Sequence, residues 1–143
     1  MSIYVVDASV AIKWSFPEDH TNDALRLRAP SLRLCAPDFF WLELASVVCQ
    51  RIRRKEVLRE KGLEILSEYR RVPIQISASS DLLDPATVIA LETSTSVYDC
   101  LYLALAVSLD AQMVTADRRF CRALAATPFS SRVLWVGDLQ PNL

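Results

Sequence analysis

Four acidic residues stand where chemistry could be assembled: Asp7, Glu43, Asp99 and Asp117. Asp7 directly follows the β-rich run Ile3-Tyr4-Val5-Val6, and Asp117 lies two residues beyond the end of a second such run, Gln112-Met113-Val114-Thr115. Carboxylates gathered in one place repel each other, which raises their pKa values and destabilises the fold unless cations are bound between them. Oxygen ligands without histidine or thiolate favour Mg²⁺ or Mn²⁺ over zinc. Such an ion supplies an attacking water and stabilises charge developing on a phosphoryl group. Ser9 and Thr115 carry hydroxyls beside two of the acids that could orient water at such a centre.

Each acid also has an ordinary structural role to weigh. Asp7 and Asp117 precede predicted helices and fit as N-caps, and Asp99 fits as the acid of a capping box opened by Ser96. Glu43 falls one turn into a predicted helix, beside Phe39, Phe40 and Val47. An unpaired carboxylate is costly to bury there, so its ordinary place is an exposed position or a buried salt bridge. What unites the four is topology. Open parallel sheets place sites outside the carboxyl ends of their strands, and Asp7 and Asp117 would share that edge. Helices starting near Asp38 and Ser96 would bring Glu43 and Asp99 to the same rim.

The elements that must hold these residues are legible in the pattern. Ile3 to Val6, without polar alternation, suits a strand buried on both faces of a parallel sheet, and Leu34-Cys35-Ala36 reads as a second strand. Asp38 is placed to cap a helix whose stripe Trp41, Leu44, Ala45, Val48, Cys49 and Ile52 ends near Arg54. Val57 to about Arg71 makes a second helix, closed by Pro73 before the strand Ile74-Gln75-Ile76. Asp84-Pro85 is expected to open a further helix to Thr93, and an almost wholly apolar helix runs from Ser96 to Leu109. Asp117 to Ala126 reads as the last helix and Val133 to Val136 as the last strand. Strands alternating with helices predict an α/β fold, a three-layer α/β/α sandwich around a mainly parallel central sheet, as a single domain over residues 1–143.

Composition narrows the function further. Hydrophobic residues make up 52% of the 143, enough for one large core, and the longest apolar run is too short to span a bilayer. With no signal-peptide pattern, a cytoplasmic protein with no membrane partner is expected. Cys35, Cys49, Cys100 and Cys121 show no metal or redox spacing and are expected to be reduced core thiols. Gly62 and Gly137, the only glycines, cannot supply a dinucleotide fingerprint, a Walker loop or a nucleophile elbow. His20, the only histidine, lies in a polar stretch, which disfavours Ser-His and Cys-His catalysis. Eight of the 16 basic residues fall between Arg51 and Arg71. Arg53 and Arg54 there are candidates for contact with nucleic-acid phosphates or a partner, against a solvated helical surface laced with glutamates.

Four segments carry a family resemblance: Val5-Val6-Asp7-Ala8-Ser9-Val10, Trp41-Leu42-Glu43-Leu44-Ala45, Tyr98-Asp99-Cys100-Leu101-Tyr102-Leu103-Ala104 and Thr115-Ala116-Asp117-Arg118-Arg119-Phe120. In this order and at these separations they resemble the PIN-domain family, in particular the VapC-type toxins of toxin–antitoxin pairs. The resemblance implies a PIN-like sandwich and Mg²⁺- or Mn²⁺-dependent hydrolysis of RNA phosphodiesters. Asp7, Asp99 and Glu43 would be the main metal-site acids, and Asp117 would act through water or at a second, weaker metal position. It also implies a homodimer held inactive by a cognate antitoxin, with the hairpin from Asp38 to Arg71 helping to clasp a partner. The expected function is that of a metal-dependent endoribonuclease. The alternative is a catalytically silent PIN-like module for protein association. A phospho-accepting signalling domain is disfavoured, because the strand Ile74-Gln75-Ile76-Ser77 offers no aspartate at its end.

Overall fold

The computed structural model describes residues 2–140, so Met1 and residues 141–143 of the expected domain lie outside the described residues. Its strands are β1 (Ser2–Val6), β2 (Leu32–Pro37), β3 (Ile74–Ser77), β4 (Gln112–Thr115) and β5 (Val133–Trp135). Among the described residues they form one sheet in the order β3-β2-β1-β4-β5, every pair parallel. The helices are α1 (Ala8–Ala11), α2 (Thr21–Leu25), α3 (Phe39–Arg53), α4 (Arg59–Tyr69), α5 (Ser79–Thr93), α6 (Val97–Ser108) and α7 (Arg118–Leu124). The chain winds outward from β1 through β2 to β3, then returns across the sheet to β4 and β5. Right-handed crossovers therefore place α1 to α4 on one face and α5 to α7 on the other, giving the three layers expected.

The central strand is built for this place. Val5 and Val6 have no exposed surface, consistent with a strand covered on both faces. Helix α6 lies against β1, β2 and β4, and its residues Cys100 to Ala106 are all buried. Each fully buried leucine of such a helix contributes about 1.5–3 kcal/mol of transfer free energy. On the other face Phe40, Leu44 and Val48 form the buried stripe of α3, and Tyr69 of α4 donates from its hydroxyl to the Ala11 carbonyl at 2.6 Å.

Several expectations are corrected. Helix α5 begins at Ser79 and carries Pro85 in its interior. Proline sacrifices one hydrogen bond there, but the buried stripe Leu82, Ala86 and Ile89 runs straight past it against α6, and that burial keeps the helix continuous. Asp38 occupies the N-cap position of α3 without capping it. Its Oδ1 instead accepts from the Ser79 amide at 3.1 Å and from the Ser79 hydroxyl, tying the start of α3 to the start of α5. Cys35 and Cys100 are buried thiols as expected, whereas Cys49 is exposed and Cys121 half-buried.

Candidate functional site

The sheet order reverses between β1 and β4, and the carboxyl ends of these two strands carry Asp7 and Asp117. That reversal opens a crevice, the usual place for a ligand in an open α/β sheet. Val6 pairs with Val114, and the Asp7 amide continues the ladder to the Val114 carbonyl at 3.1 Å. Asp7 is thereby held at the rim with only 4% of its surface exposed.

Asp7 does not cap α1; its side chain makes no capping hydrogen bond. Its Oδ2 accepts from the Ser9 hydroxyl at 2.7 Å and from the Thr115 hydroxyl at 2.8 Å. Ser9 in turn accepts from the Ala116 amide at 3.1 Å, and Thr115 from the Asp117 amide at 3.1 Å. The two hydroxyls expected to orient water therefore orient the carboxylate itself. Oδ1 accepts from no side chain among the described residues. Burial pushes the Asp7 carboxyl above the usual range, against the lowering effect of Ser9, Thr115 and the nearby amides of Ser9 and Ala8.

Asp99 reaches the same rim from α6. Ser96 caps that helix by accepting from the Tyr98 amide at 3.1 Å, but Asp99 returns no bond to Ser96, so the capping box is half formed. The freed carboxylate is pushed up to about 6, first by burial and then by Asp7 and Asp117. Glu43 on α3 is neither exposed nor salt-bridged. Its Oε1 accepts from the hydroxyl of Tyr102 at 2.5 Å. Its pKa is pushed up to about 7 by burial, with Asp7 and Asp99 adding to the rise and Tyr102 opposing it. Asp117 is an N-cap as well as a rim acid: its Oδ1 accepts from the Phe120 amide at 3.1 Å.

The structure thus brings Asp7, Glu43 and Asp99 near enough to raise one another's pKa, and Asp117 near enough to act on Asp99. None of the four is in an ion pair among the described residues. No three His, Cys, Asp or Glu side chains there stand close enough to grip one ion together. The donor set is all carboxylate oxygen, without a compensating cation, which suits a hard divalent ion.

Tyr102 is the residue that sequence reasoning missed. It sits one turn beyond Asp99 on α6, and that spacing, inside an otherwise apolar helix, was the available signal. Arg53 and Arg54 are not brought to the site. Both are exposed at the carboxyl end of α3, where positive charge complements the helix dipole. Beside the acids, Phe39, Leu42, Val47 and Tyr98 line an open groove of about 600 Å³ that also includes Glu43 and Asp99. Leu42 is 66% exposed and Tyr98 59%, and Phe39 stacks on Tyr98 with ring centroids 5.1 Å apart.

A parallel α/β/α sandwich with uncompensated acids at its switch point defines the class of this molecule. Residues 4–124 match the PIN domain, and the chain belongs to that family. Ribonuclease VapC3 of Pyrobaculum aerophilum is 26% identical over 124 residues, which cover 85% of this chain and 95% of the relative. Among solved structures, a protein of Pyrobaculum aerophilum is similar with a TM-score of 0.68 at 22% identity, covering 96% of this chain and 86% of that one. DNA-bound VapBC of Salmonella typhimurium gives 0.63 at 17% identity, with 95% and 99% covered. VapBC2 of Rickettsia felis, bound to a promoter DNA fragment, gives 0.61 at 14%, with 93% and 98% covered. At these identities the structural likenesses bear on the fold.

Proposed function

We propose that this chain is a metal-dependent endoribonuclease and the toxin of a toxin–antitoxin pair, acting in the cytoplasm as one domain. The observation that carries the reading is the hydroxyl-held Asp7 at the β1/β4 switch point, near Asp99 and Glu43, with none of the three in an ion pair among the described residues. The family and the named ribonuclease relative support the RNA substrate. The toxin–antitoxin complexes among the structural neighbours support the antitoxin.

Mg²⁺ or Mn²⁺ held at the rim supplies the Lewis acidity for hydrolysis of a phosphodiester. Mg²⁺ keeps several of its waters and takes one or two carboxylates directly, so it suits acids spaced too widely to chelate together. Asp7, Asp99 and Glu43 would hold such an ion in this reading, with Asp117 assisting from beside Asp99. Ser9 and Thr115 fix the Asp7 carboxylate, and Tyr102 fixes Glu43, so little reorganisation is needed when the ion enters. The groove along Phe39, Leu42, Val47 and Tyr98 is the place for the antitoxin, and a homodimer is the expected assembly.

The deciding experiment is incubation of a structured RNA pool with the purified chain and Mn²⁺ or Mg²⁺, against EDTA and the Asp99→Asn variant. Cleavage that requires both metal and Asp99 supports the reading. A folded chain that neither cleaves RNA nor binds metal would be a silent association module.

A further inference from the structure

We infer that Trp135, Arg118 and Arg122 form a platform for one nucleotide of single-stranded RNA beside the acidic rim; this rests on the ribonuclease reading above. Trp135 ends β5 and is the register partner of Thr115, the residue whose hydroxyl holds Asp7. The backbone that carries the ring thus runs one strand, about 4.8 Å, from the rim backbone of β4.

The ring is fixed from three sides. One part of it lies against Gly137, where a Cβ would come within 2.1 Å of the Trp135 Cζ3. His20 meets it edge-on, with centroids 4.6 Å apart and planes at 73°. His20 is itself held through Nδ1 to Asp23 at 2.9 Å. The guanidinium carbon of Arg118 lies 3.8 Å from the ring centroid. A guanidinium seated on an indole is a preorganised planar surface with its outer donors still open.

Arg122 follows one turn later on the same side of α7, and both arginines are exposed and without an ion-pair partner among the described residues. With Cys121, Ala125 and Asp138 they enclose a hollow of about 330 Å³. The Cys121 thiol, pushed up to about 11 by burial and then by Asp117 and Asp138, stays neutral. Asp138 repels a phosphate, so the phosphate belongs at Arg122 and the base on the Arg118–Trp135 stack, where Asp138 can accept from an exocyclic amine. Unpaired bases stack on aromatic rings and arginine planes in this way, and positive charge tracks the backbone. Arg118 directly follows Asp117, so a strand lying on the platform is led to the acids.

The test uses the full chain carrying Asp99→Asn, so that RNA stays intact, and fluorescence anisotropy of a labelled single-stranded RNA over a salt series. Adding Arg118→Gln and Arg122→Gln together should raise Kd about 10-fold or more, since stacking one base is worth about 1–3 kcal/mol. The log–log salt slope should fall by about 0.7 for the lost phosphate contact. Arg118→Lys, which keeps charge but loses the plane, should fall between, and an abasic strand should cost the parent more affinity than the double variant. Unchanged affinity and slope in a parent that binds RNA, and that cleaves it with Asp99 restored, overturns the platform alone. A loss confined to binding of an acidic peptide overturns it as well. No RNA binding by any form overturns the platform together with the ribonuclease reading.

Discussion

Thr115 Oγ1 donates to Asp7 Oδ2 at 2.8 Å, joining the ends of two neighbouring strands that are 108 residues apart in the chain. Ser9 donates to the same oxygen. The two hydroxyls hold one oxygen of Asp7 in place, so the carboxylate is fixed at the rim by groups of the protein itself.

Thr115→Val keeps the shape of this fully buried side chain and removes the donor. A hydrogen bond to a charged group is worth about 1.5–3 kcal/mol, so the midpoint for Mn²⁺ activation should rise by about 10-fold. Titrating cleavage against metal checks this. A midpoint equal to that of the parent would mean Ser9 alone positions Asp7.

Asp99→Asn should stabilise the metal-free protein at pH 8. Asp99 and Glu43 titrate near 6 and 7 in the folded chain, against ordinary values of 3.8 and 4.5. A carboxyl raised on folding contributes stability that is complete below its unfolded pKa and is lost as pH rises through its folded pKa. The metal-free parent should therefore lose stability between about pH 4 and pH 7. After discounting for solvent screening, removing the Asp99 charge should recover about 1 kcal/mol at pH 8, or about 3 °C in Tm. The gain should vanish near pH 4. Thermal melts in EDTA across this range decide it, and a variant less stable than the parent at pH 8 would make Asp99 a structural residue.

Tyr102→Phe deletes the donor to Glu43 Oε1 and should carry the Glu43 pKa above about 7. Metal affinity should then fall several-fold at pH 7 and approach that of the parent by about pH 9. Calorimetric metal titrations at the two pH values separate this from simple packing damage, which would weaken binding equally at both.

Arg53 and Arg54 lie about 15 Å along α3 from Glu43, at a rise of 1.5 Å per residue. Neutralising both should weaken binding of long structured RNA and reduce its salt dependence, while cleavage of a short oligonucleotide is unchanged. Unchanged affinity for the long RNA would leave the pair to the helix terminus, or to a protein partner.

A mainly parallel sheet was legible because the strands are short apolar runs without alternation, and because helical stripes separate them; the structure makes every described pair parallel. The start of α5 was not. Proline usually sits in a first turn, and only the packing of Leu82, Ala86 and Ile89 against α6 shows that this helix tolerates it inside. The acids were legible as types at strand ends and in first helical turns, since those positions follow from local pattern. Their hydrogen bonds were not, because each can be met either by the local backbone or by a distant group. Asp117 took the local option, and Asp7 is met by a neighbour, Ser9, and by the distant Thr115 together.

By itself the sequence determined a mainly parallel α/β sandwich with four carboxylates near its strand ends and in the first turns of its helices, because burial periodicity and turn chemistry are properties of neighbouring residues. Only the tertiary structure decided that Ser9 and Thr115 hold Asp7 and that Tyr102 holds Glu43. It likewise decided that Arg118 lies on Trp135 while Arg53 and Arg54 stay remote. Apart from the Ser9 contact, those pairings depend on strand order and on where the helices pack, which bring together residues that no local pattern relates.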